Sequence, residues 1–272
     1  MGSYYLTGHG VEPAGAPLSV AWGLIQGFGL FETMRTKGTR ILQLSEHLNR
    51  LYESAPQLSL PLPDRAALSS AAQHVLDRES LPSGGRFRII AARAGESGAE
   101  IIFTLEPFEG YSPELYERGM RARLNAYPRN ERSPLSRLKT ISFIENLLAR
   151  EQAQGLGFDE GIFLNTRAQL AEGTSSNLFW FSQSVLCTPS LECGCLPGVT
   201  RSWTIASARR LGIEVQEGAY PAAAFEGAEE GFLTSSLRGI MPLTELDGVP
   251  IGGGRPGADT ARLRLLYQDE VT

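Results

Sequence analysis

Apolar and polar positions alternate over Leu30-Phe31-Glu32-Thr33-Met34-Arg35 and, more loosely, over Arg40-Ile41-Leu42-Gln43-Leu44. A period of two is that of a strand with one buried face, and the Lys37-Gly38 turn between the runs predicts a hairpin. Ser45 stands where an N-cap would, ahead of Glu46-His47-Leu48-Asn49-Arg50-Leu51-Tyr52, which predicts a helix. Asp64 to Leu76 predicts a second helix, rich in alanine. Arg86 to Arg93 and Glu100 to Leu105 predict two further strands across a glycine-bearing loop, and Tyr4 to Leu6 an earlier one. Together these elements predict a small α/β domain over residues 1–106.

Residues 107–113 carry proline, glycine and serine and predict an interdomain linker. A short helix and a strand from Arg121 to Asn125 follow, then an irregular stretch from Pro128 to Arg137. The periodic run after Lys139 predicts a helix through Gln154, with Lys139 against its start. Strands are frequent beyond it: Glu160 to Asn165, Gln169 to Ala171, Leu178 to Phe181 and Ser184 to Cys187. Helices are predicted from Gly198 to Leu211 and from Asp259 to Gln268. The fold class is therefore α+β, mixed α/β, with a larger second domain over residues 114–272.

Composition narrows the function. With 42% hydrophobic and 20% charged residues the 272-residue chain can bury a real core. A net charge of −5 with scattered arginines predicts no nucleic-acid partner and no membrane surface. No apolar run approaches the roughly 20 residues that span a bilayer, and no charged-then-apolar leader opens the chain, so the cytoplasm is expected. Cys187, Cys193 and Cys195 fall within nine residues, but without two-residue spacing or a nearby histidine. They read as small apolar residues, with no metal expected. Nucleotide-type glycine fingerprints are absent.

One count points to chemistry. Of 25 basic residues only Lys37 and Lys139 are lysine. Arginine keeps its proton, whereas a deprotonated lysine is an amine nucleophile. Lys37 sits in a turn and points to water. Lys139, in Arg137-Leu138-Lys139-Thr140-Ile141-Ser142-Phe143, has apolar neighbours on both sides. Two readings stand: a Schiff-base lysine, or a surface lysine at a helix terminus.

A Schiff-base lysine becomes an enzyme with pyridoxal 5'-phosphate, which also needs an acid at its ring nitrogen and donors for its phosphate. Glu172, in Ala171-Glu172-Gly173-Thr174-Ser175-Ser176-Asn177-Leu178-Phe179, is a candidate acid; it also reads as a solvated turn carboxylate. Cys195-Leu196-Pro197-Gly198-Val199-Thr200-Arg201 precedes a helix whose first N–H groups can face an anion; it also reads as an ordinary helix start. Leu233-Thr234-Ser235-Ser236-Leu237-Arg238-Gly239 offers hydroxyls, and Arg50 offers a permanent charge or is a surface arginine like most of the rest.

In order, Phe31-Glu32-Thr33, Glu46-His47-Leu48-x-Arg50-Leu51, Leu138-Lys139-Thr140, Glu172-Gly173-x-Ser175-Ser176-Asn177, Leu196-Pro197-Gly198-Val199-Thr200-Arg201 and Leu233-Thr234-x-Ser236-Leu237 resemble the class IV aminotransferases. These are the fold-type IV pyridoxal phosphate enzymes. The resemblance implies a larger domain with a barrel-like mixed sheet, the cofactor between two domains, and a homodimer acting on a small amino substrate. It implies that Lys139 binds the cofactor and moves a proton, and that Glu172 faces the pyridine nitrogen. Arg50, the amides of Val199 and Thr200, and Ser236 would hold the phosphate. Phe31, Thr33, Leu237 and Arg238 would lie on the substrate side.

Ser133-Pro134-Leu135-x-x-Leu138-Lys139-Thr140, Glu145-Asn146-x-Leu148-Ala149-Arg150 and the run from Leu233 to Pro242 are similar to the family's 4-amino-4-deoxychorismate lyases. Those lyases release pyruvate to give 4-aminobenzoate for folate synthesis; the branched-chain members usually carry a longer spacing after the lysine. A transaminase of branched-chain or D-amino acids is the alternative, and a non-catalytic cofactor-binding paralogue a third. Two departures stand out. Ala21 to Gly29 lacks the family's usual acids, and Phe143 stands where a tyrosine is frequent.

Overall fold

The computed structural model describes residues 2–7, 10–13, 22–79, 81, 83–94 and 98–272. Ala21, at the head of the altered Ala21 to Gly29 stretch, lies outside them, as does His9. The chain forms two compact units. One gathers Met1–Gly110 with Leu138–Phe143 and Thr272; the other holds Tyr111–Arg137 and Ile144–Val271.

The first unit is an antiparallel sheet of β1 (Gly2–Thr7), β2 (Gly10–Pro13), β3 (Gly29–Lys37), β4 (Arg40–Ile41), β5 (Gly85–Ala94) and β6 (Gly98–Pro107). They lie in the order β2-β1-β6-β5-β3-β4. Helices α1 (Trp22–Gln26), α2 (Leu44–Ser54) and α3 (Arg65–Glu79) complete it. The alternation of β3 buries Leu30, Glu32, Met34 and Thr36 and leaves Phe31, Thr33 and Arg35 on the other face, partly exposed. Leu30 and Met34 pack with Leu48 and Leu51 of α2, Leu68 and Val75 of α3, and Phe87 and Phe103 of the sheet. α2 begins one residue before the predicted cap. Ser45 lies inside it, and Gln43, in the left-handed region at φ 53°, precedes it. α3 is capped by its lead residue: Asp64 Oδ2 accepts the amides of Ala66 at 2.9 Å and Ala67 at 3.2 Å.

The second unit has nine strands: β7 (Met120–Leu124), β8 (Glu160–Leu164), β9 (Leu170–Gly173), β10 (Asn177–Ser182), β11 (Val185–Pro189), β12 (Val215–Gly218), β13 (Glu230–Ser235), β14 (Gly239–Leu246) and β15 (Val249–Pro250). The order is β12-β11-β10-β13-β14-β7-β8-β9, and a further pairing of β9 with β10 closes six of them into a ring. The sheet is mixed: β7 runs parallel to β8 and β14, and β12 parallel to β11. Helices α4 (Pro113–Arg118), α5 (Ile144–Gly155), α6 (Val199–Arg210) and α7 (Ala258–Val271) belong to this unit.

β10 shows why its sequence is nearly all apolar, because both of its faces are covered. Leu178 and Trp180 pack with Ile162, Leu233 and Met241. Phe179 and Phe181 pack instead with Ile205 and Ala208 of α6 and Leu263 and Tyr267 of α7. Among the described residues no helix is long and apolar enough to cross a membrane.

Candidate active site

Lys139 does not sit at a helix start. α5 begins only at Ile144, and the stretch before it runs antiparallel beside β3. Phe31 N–H donates to Lys139 O at 2.8 Å and Ile141 N–H to Gly29 O at 3.0 Å, bracketing the Leu30–Thr140 bridge. Backbone pairing therefore fixes the lysine against the partly exposed face of β3. Its Nζ lies 4.4 Å from the centre of the Phe31 ring and 5.9 Å from that of Phe143. The two rings meet edge to face at 5.6 Å. An ammonium over an aromatic face is held electrostatically.

Glu32, next to Phe31, points the opposite way, into the core. An acid there needs partners, since a buried lone carboxylate is costly. Arg50 and His47, three residues apart on one face of α2, supply them. Arg50 donates from Nε to Glu32 Oε1 at 2.8 Å and from Nη2 to Oε2 at 2.5 Å, and His47 Nδ1 lies 2.6 Å from Oε2. Burial alone would raise the Glu32 pKa, but the Arg50 charge and the His47 contact bring it down to about 2. Burial lowers the His47 pKa, against the pull of Glu32, so the imidazole donates as a neutral group. The Lys139 charge acts on His47 in the same direction as burial. Thr33 shares the Phe31 face of β3.

The second unit holds the other predicted residues. Glu172, at the end of β9, is buried, with Asn177 of β10 directly opposite. Its Oε2 accepts Leu196 N–H at 2.8 Å and Asn177 Nδ2 at 3.3 Å, and Arg129 Nη1 lies 3.2 Å from Oε1. It is no solvated turn carboxylate. Asn177 Nδ2 also donates to Leu196 O at 2.8 Å, which ties β10 to the lead-in of α6.

That lead-in is tightly built. A Cβ on Gly198 would fall 2.1 Å from Asn177 Oδ1, so any side chain there would have to displace Asn177. Gly198 provides no side-chain cap, and Val199 and Thr200 open the helix, both buried. Thr234 lies opposite Asn177 on β13, and its buried Oγ1 has no hydrogen-bond partner among the described residues.

Ser236 and Leu237 lie in the turn between β13 and β14, both partly buried. Arg238 lies in the same turn. Its side chain is 1% exposed and donates to Glu160 Oε2 at 2.5 Å, with the guanidinium 5.5 Å from the Tyr111 ring centre. The charge is paired with a fully buried carboxylate. Glu160 also accepts the amide and hydroxyl of Thr174, so one acid joins the turn after Glu172 to the turn that carries Ser236. Burial would raise the Glu160 pKa, but Arg238 and these donors hold it below the ordinary value.

The partners Arg129, Glu160 and Glu32 had no assigned role in the sequence reading. Arg129 is one arginine among 23, in a stretch without periodicity, and no local signal marks it. Glu32 had a signal: it occupies a core-facing position in an alternating strand. The cysteines are buried and free, with sulfurs against backbone carbonyls. Burial, with the Glu172 charge nearby, raises the Cys195 thiol to about 12. No group of three or more metal-ligating side chains occurs among the described residues.

The family model described as amino-transferase class IV matches residues 29–246. The aminodeoxychorismate lyase of Bacillus subtilis (strain 168) is 29% identical over 98% of this chain and 94% of its own. The branched-chain-amino-acid aminotransferase of Escherichia coli (strain K12) is 29% identical over 89% of this chain and 83% of its own. Among solved structures, the E. coli branched-chain amino acid aminotransferase matches with a TM-score of 0.91 at 25% identity, covering 100% of this chain and 95% of that one. The T.th. branched-chain amino acid aminotransferase with pyridoxamine 5'-phosphate matches at 0.89 and 25% identity, covering 98% and 93%.

Proposed function

The chain belongs to the class IV aminotransferase family, and from that premise we propose that it is the lyase that converts 4-amino-4-deoxychorismate to 4-aminobenzoate and pyruvate. It is a pyridoxal phosphate-dependent enzyme, as the family and its solved members with phosphopyridoxyl ligands indicate. The residues present fit that cofactor. The bare Gly198 approach and uncapped start of α6 suit a dianion, the orphaned Thr234 hydroxyl lies on the strand beside it, and Glu172 is an acid held by two hydrogen-bond donors and the nearby Arg129 guanidinium.

When bound, pyridoxal phosphate supplies an aldehyde for an amine and a ring that accepts the electron pair of the bond that breaks. The protein's part is to place charges and protons. Lys139 Nζ takes and returns the proton as general base and acid. Glu172, paired with the Arg129 guanidinium and oriented by the Leu196 amide, would hold a proton at the ring nitrogen. As the family resemblance implies, Arg50, the amides of Val199 and Thr200, and the Ser236 hydroxyl would bind the phosphate. Phe31, Thr33 and Leu237 face the substrate. Phe143 has no hydroxyl to offer, so hydrogen bonding to the ring oxygen falls to other groups.

The observation that carries the lyase over its relatives is the short link after the lysine. Four residues, Thr140 to Phe143, separate Lys139 from α5, where the branched-chain members that the chain resembles usually carry a longer spacing after the lysine. The TM-score of 0.91 to the E. coli aminotransferase keeps a second reading in play, a transaminase of branched-chain or D-amino acids. A non-catalytic paralogue is opposed by the retention of one of only two lysines at position 139. With the lyase go a place in folate synthesis, a cytoplasmic setting and a homodimer.

The test is 4-aminobenzoate release from enzymatically generated aminodeoxychorismate by the cofactor-loaded protein. Release that vanishes in Lys139→Ala, together with the borohydride-reducible adduct, is the expected result. No release from a protein that still forms the adduct hands the reading to the transaminase, to be met by a screen of amino donors. A Lys139→Ala protein that still forms the adduct at that site would overturn the role of Lys139.

A further inference from the structure

We propose that Glu32 and His47 are positioning residues that set the Arg50 guanidinium for a phosphate-bearing ligand, an inference that rests on the reading of Arg50 as a phosphate cation. The geometry is that of a clamp. Glu32 uses both carboxylate oxygens on Arg50, taking Nε at 2.8 Å and Nη2 at 2.5 Å. A two-point bond to a planar guanidinium fixes its plane, and with it the direction of the Nη1 edge. His47 Nδ1, 2.6 Å from Oε2, fixes the carboxylate in turn. Each layer is buried: Glu32 and His47 are each 1% exposed, and the Arg50 side chain 9%.

Stability alone does not account for the arrangement. A buried ion pair gains little over apolar residues of the same volume, and position 32 lies in a core face between Leu30 and Met34 that also carries Thr36. The same strand also carries Phe31, whose ring lies under the Lys139 ammonium. β3 thus presents the floor for the lysine on one face and the clamp for the arginine on the other.

The phosphate separates this role from a structural one. The full-length protein, stripped of cofactor, is titrated with pyridoxal 5'-phosphate and with pyridoxal, reading the absorbance change on binding. Glu32→Gln is expected to weaken pyridoxal 5'-phosphate by about tenfold or more, the range typical of outer-shell partners, and pyridoxal by less than about twofold. His47→Leu shifts the ratio the same way, and His47→Asn, which returns an N–H donor near the Nδ1 position, restores it. Equal weakening of both ligands, or no change in either, overturns the proposal. Arg50→Ala is the control: if it does not selectively weaken the phosphorylated ligand, the reading of Arg50 itself fails. If it does so while Glu32→Gln does not, only the positioning role fails. Should Glu32→Gln not fold, Glu32→Asp carries the test. It keeps the charge but withdraws it by one methylene, and an unchanged ratio there overturns the clamp.

Discussion

Gly198 shows how much of the site rests on a single missing atom. Its φ of −70° is one any residue adopts, so the demand for glycine is steric rather than conformational. A methyl group there would meet Asn177 Oδ1 at 2.1 Å, and Asn177 is what ties Glu172 to the Leu196 carbonyl. Gly198→Ala is expected to cost about 1–3 kcal/mol, the range for overpacking a filled interior, and to weaken cofactor binding as Asn177 is pushed off Glu172. Thermal denaturation with and without pyridoxal 5'-phosphate reads both effects. An unchanged midpoint in both conditions would mean that Asn177 moves aside freely. The sequence marked Gly198 as part of a helix start, but the reason for it comes from a residue 21 positions earlier, on β10.

At the scale of elements, local pattern and structure agree where burial follows a simple period. β3, β5, β6, α3, α6 and α7 lie where alternation or helical spacing placed them. The Asp64 cap of α3 can be read in the sequence because it acts over three residues. Asp64→Ala is expected to lower stability by about 1 kcal/mol, seen as an earlier urea midpoint with an unchanged slope. A full-strength helix in that variant would show that packing of Leu68 and Val75 alone starts α3. The misplacements have one cause. Ser45 resembles a cap, yet α2 starts earlier because Leu44 packs into the core. The run after Lys139 is apolar enough to suggest a helix there, yet hydrogen bonds to β3 claim it first.

For the molecule as a whole, buried carboxylates predict the response to acid. Glu32 has a folded pKa of about 2 against an ordinary 4.5. The unfolded chain therefore binds the proton more readily. The stabilisation is fully present above about pH 4.5 and is lost as pH falls towards 2, roughly 3 kcal/mol in all. Glu160, also held low, adds in the same direction. His47, buried and neutral with a lowered pKa, begins to cost stability as pH falls below its ordinary 6.5. Unfolding free energy measured from pH 7 to pH 3 should fall steadily, and Glu32→Gln should flatten the lower part of that curve. A curve as steep in the variant as in the parent would assign the acid sensitivity elsewhere.

By itself the sequence determined the order and type of most elements, because the periods of strands and helices are local. It also singled out Lys139, through the near-absence of lysine elsewhere, and the stretches around Glu172, Gly198 and Ser236 through their small and polar residues. Tertiary structure alone decided which charges are enclosed. Of 23 arginines, Arg50 and Arg238 end up buried against Glu32 and Glu160. Those pairs bridge 18 and 78 positions. It also decided that β9 closes on β10, and that six residues around Lys139 join the first unit. Burial depends on every element packed around a group at once, and no window of sequence contains that information.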